Sequence, residues 1–83
     1  MSDLEILEEI KKIISDQFSI PKETIEESSF LEEDLGIGEL EMEDLIIQIQ
    51  SKFDIQIPQE KLGAFKTVSD LASYVYENVE NTG

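Results

Sequence analysis

The residues of this chain that could do chemistry are carboxylates, and they are gathered. Glu26, Glu27, Glu32, Glu33, Asp34, Glu39, Glu41, Glu43 and Asp44 follow one another with no lysine among them. Carboxylates serve as general acids or bases, as metal ligands, or as the acidic half of an electrostatic contact. The first role needs companions that the sequence does not supply. It contains no His, no Cys and no Arg, so the commonest general base, the thiolate nucleophile and the bidentate anion clamp are all missing. Catalysis by this chain alone is not expected. The second role fails on order. Glu32, Glu33 and Asp34 do not supply the ordered Asp/Asn alternation of a calcium loop, so weak divalent-ion association is expected and no metal site.

The contact role remains, and it centres on "DLGIGELEMEDLI", residues 34–46. This stretch reads as a tight turn entering an acidic helix, and it holds no Ser, Thr, Cys, Lys or Tyr. The formal net charge is −14, from 20 acids against six lysines. Such a chain is repelled by nucleic acid and by anionic membrane surfaces, whereas a protein with a basic patch complements it. The candidate partner-binding residues are Asp34, Glu39, Glu41, Met42, Glu43, Asp44 and Ile47. Part of this acidity has a local cause, because carboxylates in a helix's first turn match the positive end of its dipole. Ile47 stands about 140° from Met42 on the helical wheel. It either packs on a neighbouring element or forms an exposed apolar anchor ringed by carboxylates, the usual anatomy of a docking spot.

The elements that must position these residues are helices. Leu4, Leu7, Ile10 and Ile14, widened by Ile6 and Ile13, predict a first helix over about residues 3–17, capped by Ser2 or Asp3. Pro21 stops its continuation, and a long polar loop follows, with Ile20, Ile25, Phe30 and Leu31 pinning it to the core. Met42, Leu45, Ile46, Ile49 and Phe53 mark a second helix that starts after Gly38 and runs to about Lys52. "FDIQIP" alternates like a strand but has no partner strand, so it reads as an extended connection whose Phe53, Ile55 and Ile57 fill the core. "QEKLG" makes one short helical turn. Thr67 to Asp70 forms a capping box for a last helix reaching about Val79, flanked by partly exposed Tyr74 and Tyr76, and "ENTG" frays. The sum is an all-α bundle in a single domain, 1–83, with 40% apolar residues to build one modest core. No signal or transit peptide and no 20-residue apolar run is visible, so a cytoplasmic protein, or a mature form inside an organelle, is expected, monomeric and without membrane insertion.

Over nearly its full length the chain resembles the acyl carrier protein family. "EEIKKIISDQF" resembles the family's first helix, "SSFLEEDLG" the segment leading to its prosthetic-group site, "LIIQIQSKFDIQIP" its second helix and exit, and "TVSDLASYV" its last helix. The resemblance implies a four-helix bundle: three main helices, one short one and a long first loop. It also implies that the acidic second helix is recognised by basic patches on partner enzymes, carrier-dependent synthases or transferases among them. Family members carry 4′-phosphopantetheine on the Ser of an Asp-Ser-Leu triplet at the start of that helix. Here the triplet aligns with Gly38-Glu39-Leu40. Only the Leu matches, so the arm is expected to be absent, with Glu39 at the position of the attachment Ser. Gln48, Gln50, Ser51 and Gln56 stand where the family often has acids, and Glu43 replaces a usually apolar contact. The resemblance therefore implies an armless carrier-like adaptor, subunit or regulator, of fatty-acid or polyketide-type enzymes for example. The other reading is a genuine acyl carrier in fatty-acid or related biosynthesis with a non-standard or engineered attachment site.

Overall fold

The computed structural model describes residues 2–79, so the fraying expected of "ENTG" lies outside the described residues. Helix α1 covers Asp3–Phe18. The Ser2 hydroxyl accepts the Glu5 N–H at 3.2 Å and the Glu5 carboxylate accepts the Ser2 N–H at 3.1 Å, a complete capping box. Ser19 ends the helix in the left-handed region (φ 57°), ahead of Pro21. Its buried face is Ile6, Leu7, Ile10 and Ile14. Leu4, expected on that face, is 67% exposed while Ile6 is fully buried. The reason is angular: Leu4 projects about 120° from Ile10, whereas Ile6 lies one turn before it.

Pro21 leads into a short 3-10 helix, Lys22–Thr24, which the loop's composition did not announce. Ile25 and Leu31 are each 2% exposed and do pin the loop inward, whereas Phe30 is 45% exposed. Helix α2 covers Glu39–Phe53 and buries the expected Met42, Leu45, Ile46, Ile49 and Phe53. "FDIQIP" is an extended connection, tied by the Ile57 N–H donating to the Gln50 side-chain oxygen at 2.7 Å. A second 3-10 helix at Gln59–Ala64 supplies the short helical element. Helix α3 covers Val68–Asn78 behind a second capping box, Thr67 with Asp70, and buries Val68, Leu71, Ala72 and Val75. Phe65 meets Tyr74 edge-to-face at 5.5 Å between ring centres.

These parts close on one core in which α1 packs against both α2 and α3. Ile6, Ile10, Ile14, Leu45, Ile49 and Leu71 are fully buried there. Each such side chain stabilises the fold by about 1.5–3 kcal/mol relative to exposure. Backbone hydrogen bonds also strap the long loop to the start of α3. Leu31 N–H donates to the Lys66 carbonyl at 2.9 Å, Val68 N–H to Ser29 at 3.1 Å and Ser69 N–H to Glu27 at 2.9 Å. The last two carbonyls satisfy donors at the helix start that intrahelical bonding leaves open. Among the described residues no helix is long and apolar enough to cross a membrane.

Candidate docking site

The site is assembled by the turn that delivers the chain into α2. Asp34 folds it: its carboxylate accepts the Phe30 N–H at 2.8 Å, while its own N–H donates to the Phe30 carbonyl at 2.9 Å. Gly36 N–H donates to Glu32 at 3.0 Å and Ile37 N–H to Leu31 at 2.8 Å, and Ile37 is buried as the turn's apolar plug. Gly36 takes φ +70°, where a Cβ would be strained. Gly38 is the N-cap of α2, and having no side chain it offers the helix no cap acceptor. Only the return half of a capping box exists, the Glu41 carboxylate accepting the Gly38 N–H at 2.9 Å.

The seven expected docking residues divide accordingly. Glu39, the first residue of α2, is exposed with Glu43 and Asp44. Glu41 is exposed but engaged with its own helix start, and Asp34 is exposed but engaged with its turn. Ile47 is 57% exposed, so it takes the exposed position of its two expected ones. Met42 is 6% exposed and turned into the core, because it lies on the inward stripe with Leu45, Ile46 and Ile49. It supports the face from beneath and offers a partner almost no surface. Leu40, which the sequence reading omitted, is 77% exposed. The signal that could have found it is its place two helical turns before Ile47 on the same outer face.

The electrostatics of this end are one-sided. The three ion pairs among the described residues are Lys11–Glu8 at 3.8 Å, Lys22–Glu8 at 2.9 Å and Lys52–Glu9 at 3.4 Å. All use Glu8 or Glu9, so none of the carboxylates from Glu26 to Asp44 has a cation of its own chain as an ion-pair partner among the described residues. Glu32, Glu33 and Asp34 do not converge either: among the described residues no three acidic groups gather as a metal would need. A groove of about 300 Å³ opens beside Glu39, lined by Phe30, Leu31, Ile37, Met42 and Phe65 among others.

Comparison with known proteins places this geometry. Residues 8–75 match the family model described as the phosphopantetheine attachment site. The acyl carrier protein of Phytoplasma mali is 38% identical over 76 residues, covering 92% of this chain and 90% of its own. That of Thermosynechococcus vestitus is 36% identical over 80 residues, covering 95% of this chain and 98% of its own. Among solved structures, the acyl carrier protein from Enterococcus faecalis superposes with a TM-score of 0.77 at 23% identity, over 94% of this chain and 99% of that one. The apo doublet acyl carrier protein from prodigiosin biosynthesis covers all of this chain with 41% of its own length, at a TM-score of 0.78 and 14% identity. At those identities the two structures speak for the fold alone. The sequence matches go further, and on them the chain belongs to the acyl carrier protein family.

Proposed function

We propose that this chain is a carrier-type protein that acts by docking, without a covalent 4′-phosphopantetheine arm. It is a non-enzymatic adaptor, subunit or regulator that presents the outer face of α2 to proteins with basic patches, carrier-dependent synthases or transferases among them. The observation that carries the reading is Glu39, exposed as the first residue of α2; the reading takes this as the position at which the family bears its Ser. The residues present do not fit the arm. A carboxylate forms a labile acyl phosphate, not the stable phosphodiester that holds phosphopantetheine. The nearest hydroxyls do not replace it. The Ser29 hydroxyl accepts the Glu26 N–H at 3.0 Å within the loop, and Ser28 beside it shares that loop. Ser51 lies twelve residues further along α2, about 18 Å away at 1.5 Å rise per residue.

The docking half rests on composition of the face. Exposed Leu40 and Ile47 bracket exposed Glu43 and Asp44 along α2, so apolar contacts stand beside acidic groups on one face. A second reading, a genuine acyl carrier with a non-standard attachment site, is favoured by the relatives named acyl carrier protein. Intact-mass measurement after incubation with coenzyme A, magnesium and a broad-specificity phosphopantetheinyl transferase separates the two. The wild-type mass is expected to stay unchanged, while the Gly38→Asp/Glu39→Ser double variant gains one arm. A stoichiometric gain by the wild type would overturn the proposal.

A further inference from the structure

At 100° per residue, Leu40, Asp44, Ile47 and Ser51 form the outermost ridge of α2, opposite buried Leu45 and Ile49. On the Glu43 side of that ridge, α2 and the second 3-10 helix leave a notch of about 180 Å³. Buried Ile46 and Ile57 floor it with half-buried Leu62, and exposed Ile47 stands at its edge. Glu43, Gln50 and Gln59 rim it. The Gln50 side-chain oxygen already accepts the Ile57 N–H at 2.7 Å, and Glu43 is the one charged group of the lining. No lysine pairs with Glu43 among the described residues.

Size and charge together choose the occupant. An open notch of about 180 Å³ takes one side chain and cannot enclose a helix. A carboxylate is repelled by a chain of net charge −14. A purely apolar side chain would cover the floor while drying part of the Glu43 carboxylate without a partner. An arginine meets both needs, since its stem lies on apolar surface while its planar head pairs bidentately with a carboxylate.

We propose that this notch is the anchor point of the docking surface and takes an arginine side chain of a protein partner, stem against Ile46, Ile47 and Ile57 and guanidinium on Glu43. The inference rests on the docking reading and adds the chemistry of the partner to it. Glu43 is then the specificity-determining residue of the face, selecting a cation where an apolar residue would select another apolar one.

The test is a titration of the full chain with n-butylguanidinium, followed by the NMR signals of the isoleucine and leucine methyl groups. Saturable shifts are expected at Ile46, Ile47, Ile57 and Leu62, with guanidinium ion and 1-butanol each binding more weakly. Glu43→Gln should weaken butylguanidinium binding about fivefold, and Glu23→Gln, which removes the same charge elsewhere, should leave it unchanged. Equal weakening by both variants, or equal binding of 1-butanol, would overturn the assignment. Attachment of an arm in the mass assay bears on the earlier proposal alone; this titration decides the notch.

Discussion

Glu8 is the acid through which α1 holds the loop that follows it. Its carboxylate lies 2.9 Å from the Lys22 ammonium, and that contact, with a smaller contribution from Lys11, holds Glu8 below the usual carboxylate range. Glu5 is lowered too, first by the Ser2 backbone N–H and then by the Ser2 hydroxyl. A carboxyl lowered by folding stabilises the fold above its ordinary pKa of 4.5 and loses that contribution as pH falls through the lower folded value. Glu5 is exposed and the Glu8 side chain about half-exposed, so the effect is small and solvent-screened. Lys22→Met removes the larger cause at Glu8. The urea midpoint of the wild type should therefore drop further than that of the variant between about pH 6 and about pH 3. Equal drops would remove Lys22–Glu8 from the acid sensitivity of the protein. At this same scale the acids of the α2 end differ in kind: Asp34 and Glu41 hold backbone N–H groups, while Glu43 and Asp44 hold nothing within the chain among the described residues.

The element that decides the site's geometry is the turn from Phe30 to Gly38, and Gly36 is its least replaceable residue. A Cβ there would meet nothing within 4 Å, so the cost of Gly36→Ala is backbone strain at φ +70° and not a clash. The loss should be about 1 kcal/mol, read as a lower urea midpoint at unchanged m-value. A variant as stable as the wild type would mean that the turn relaxes freely and does not fix the entry to α2. Much of this architecture was legible in the sequence, because helices announce themselves locally. The Ser2 cap, Thr67 with Asp70, and the Met42 to Phe53 stripe are patterns within a few residues. The site was half legible: Ile47 and the carboxylates could be placed on a helix, but Leu40 was passed over. What could not be read were contacts between distant segments. The bonds from Val68 and Ser69 to the carbonyls of Ser29 and Glu27 use groups every residue possesses, so no residue type marks them. Asp34 shows the same limit, since one carboxylate letter stands equally for a surface charge and for the clasp on Phe30. The notch is a further case, made where residues 43–50 of α2 face residues 57–62 across the core's edge.

At the scale of the whole molecule, the charge distribution sets two responses of opposite sign. Fourteen uncompensated negative charges repel one another, and compaction brings them closer. Three partly exposed surface ion pairs among the described residues work the other way, each contributing about 0–1 kcal/mol. Sodium chloride screens both, and at about 0.1 M the screening length is already near 10 Å. Repulsion among the many acids acts over that range, whereas the Lys22–Glu8 contact at 2.9 Å is much shorter and is screened less. Added salt should therefore raise the melting temperature by several degrees, equivalent to about 1 kcal/mol in a chain this small. The same salt should weaken n-butylguanidinium at Glu43, because an attraction is being screened there in place of a repulsion. Calorimetry and the methyl titration, run over one salt series, measure the two slopes on the same protein. Opposite slopes are the signature of an acidic surface whose complement lies on another molecule. A melting temperature that falls with salt would instead show the ion pairs outweighing the repulsion, and the charge at the α2 end would then bear on folding as an ordinary solvated face does.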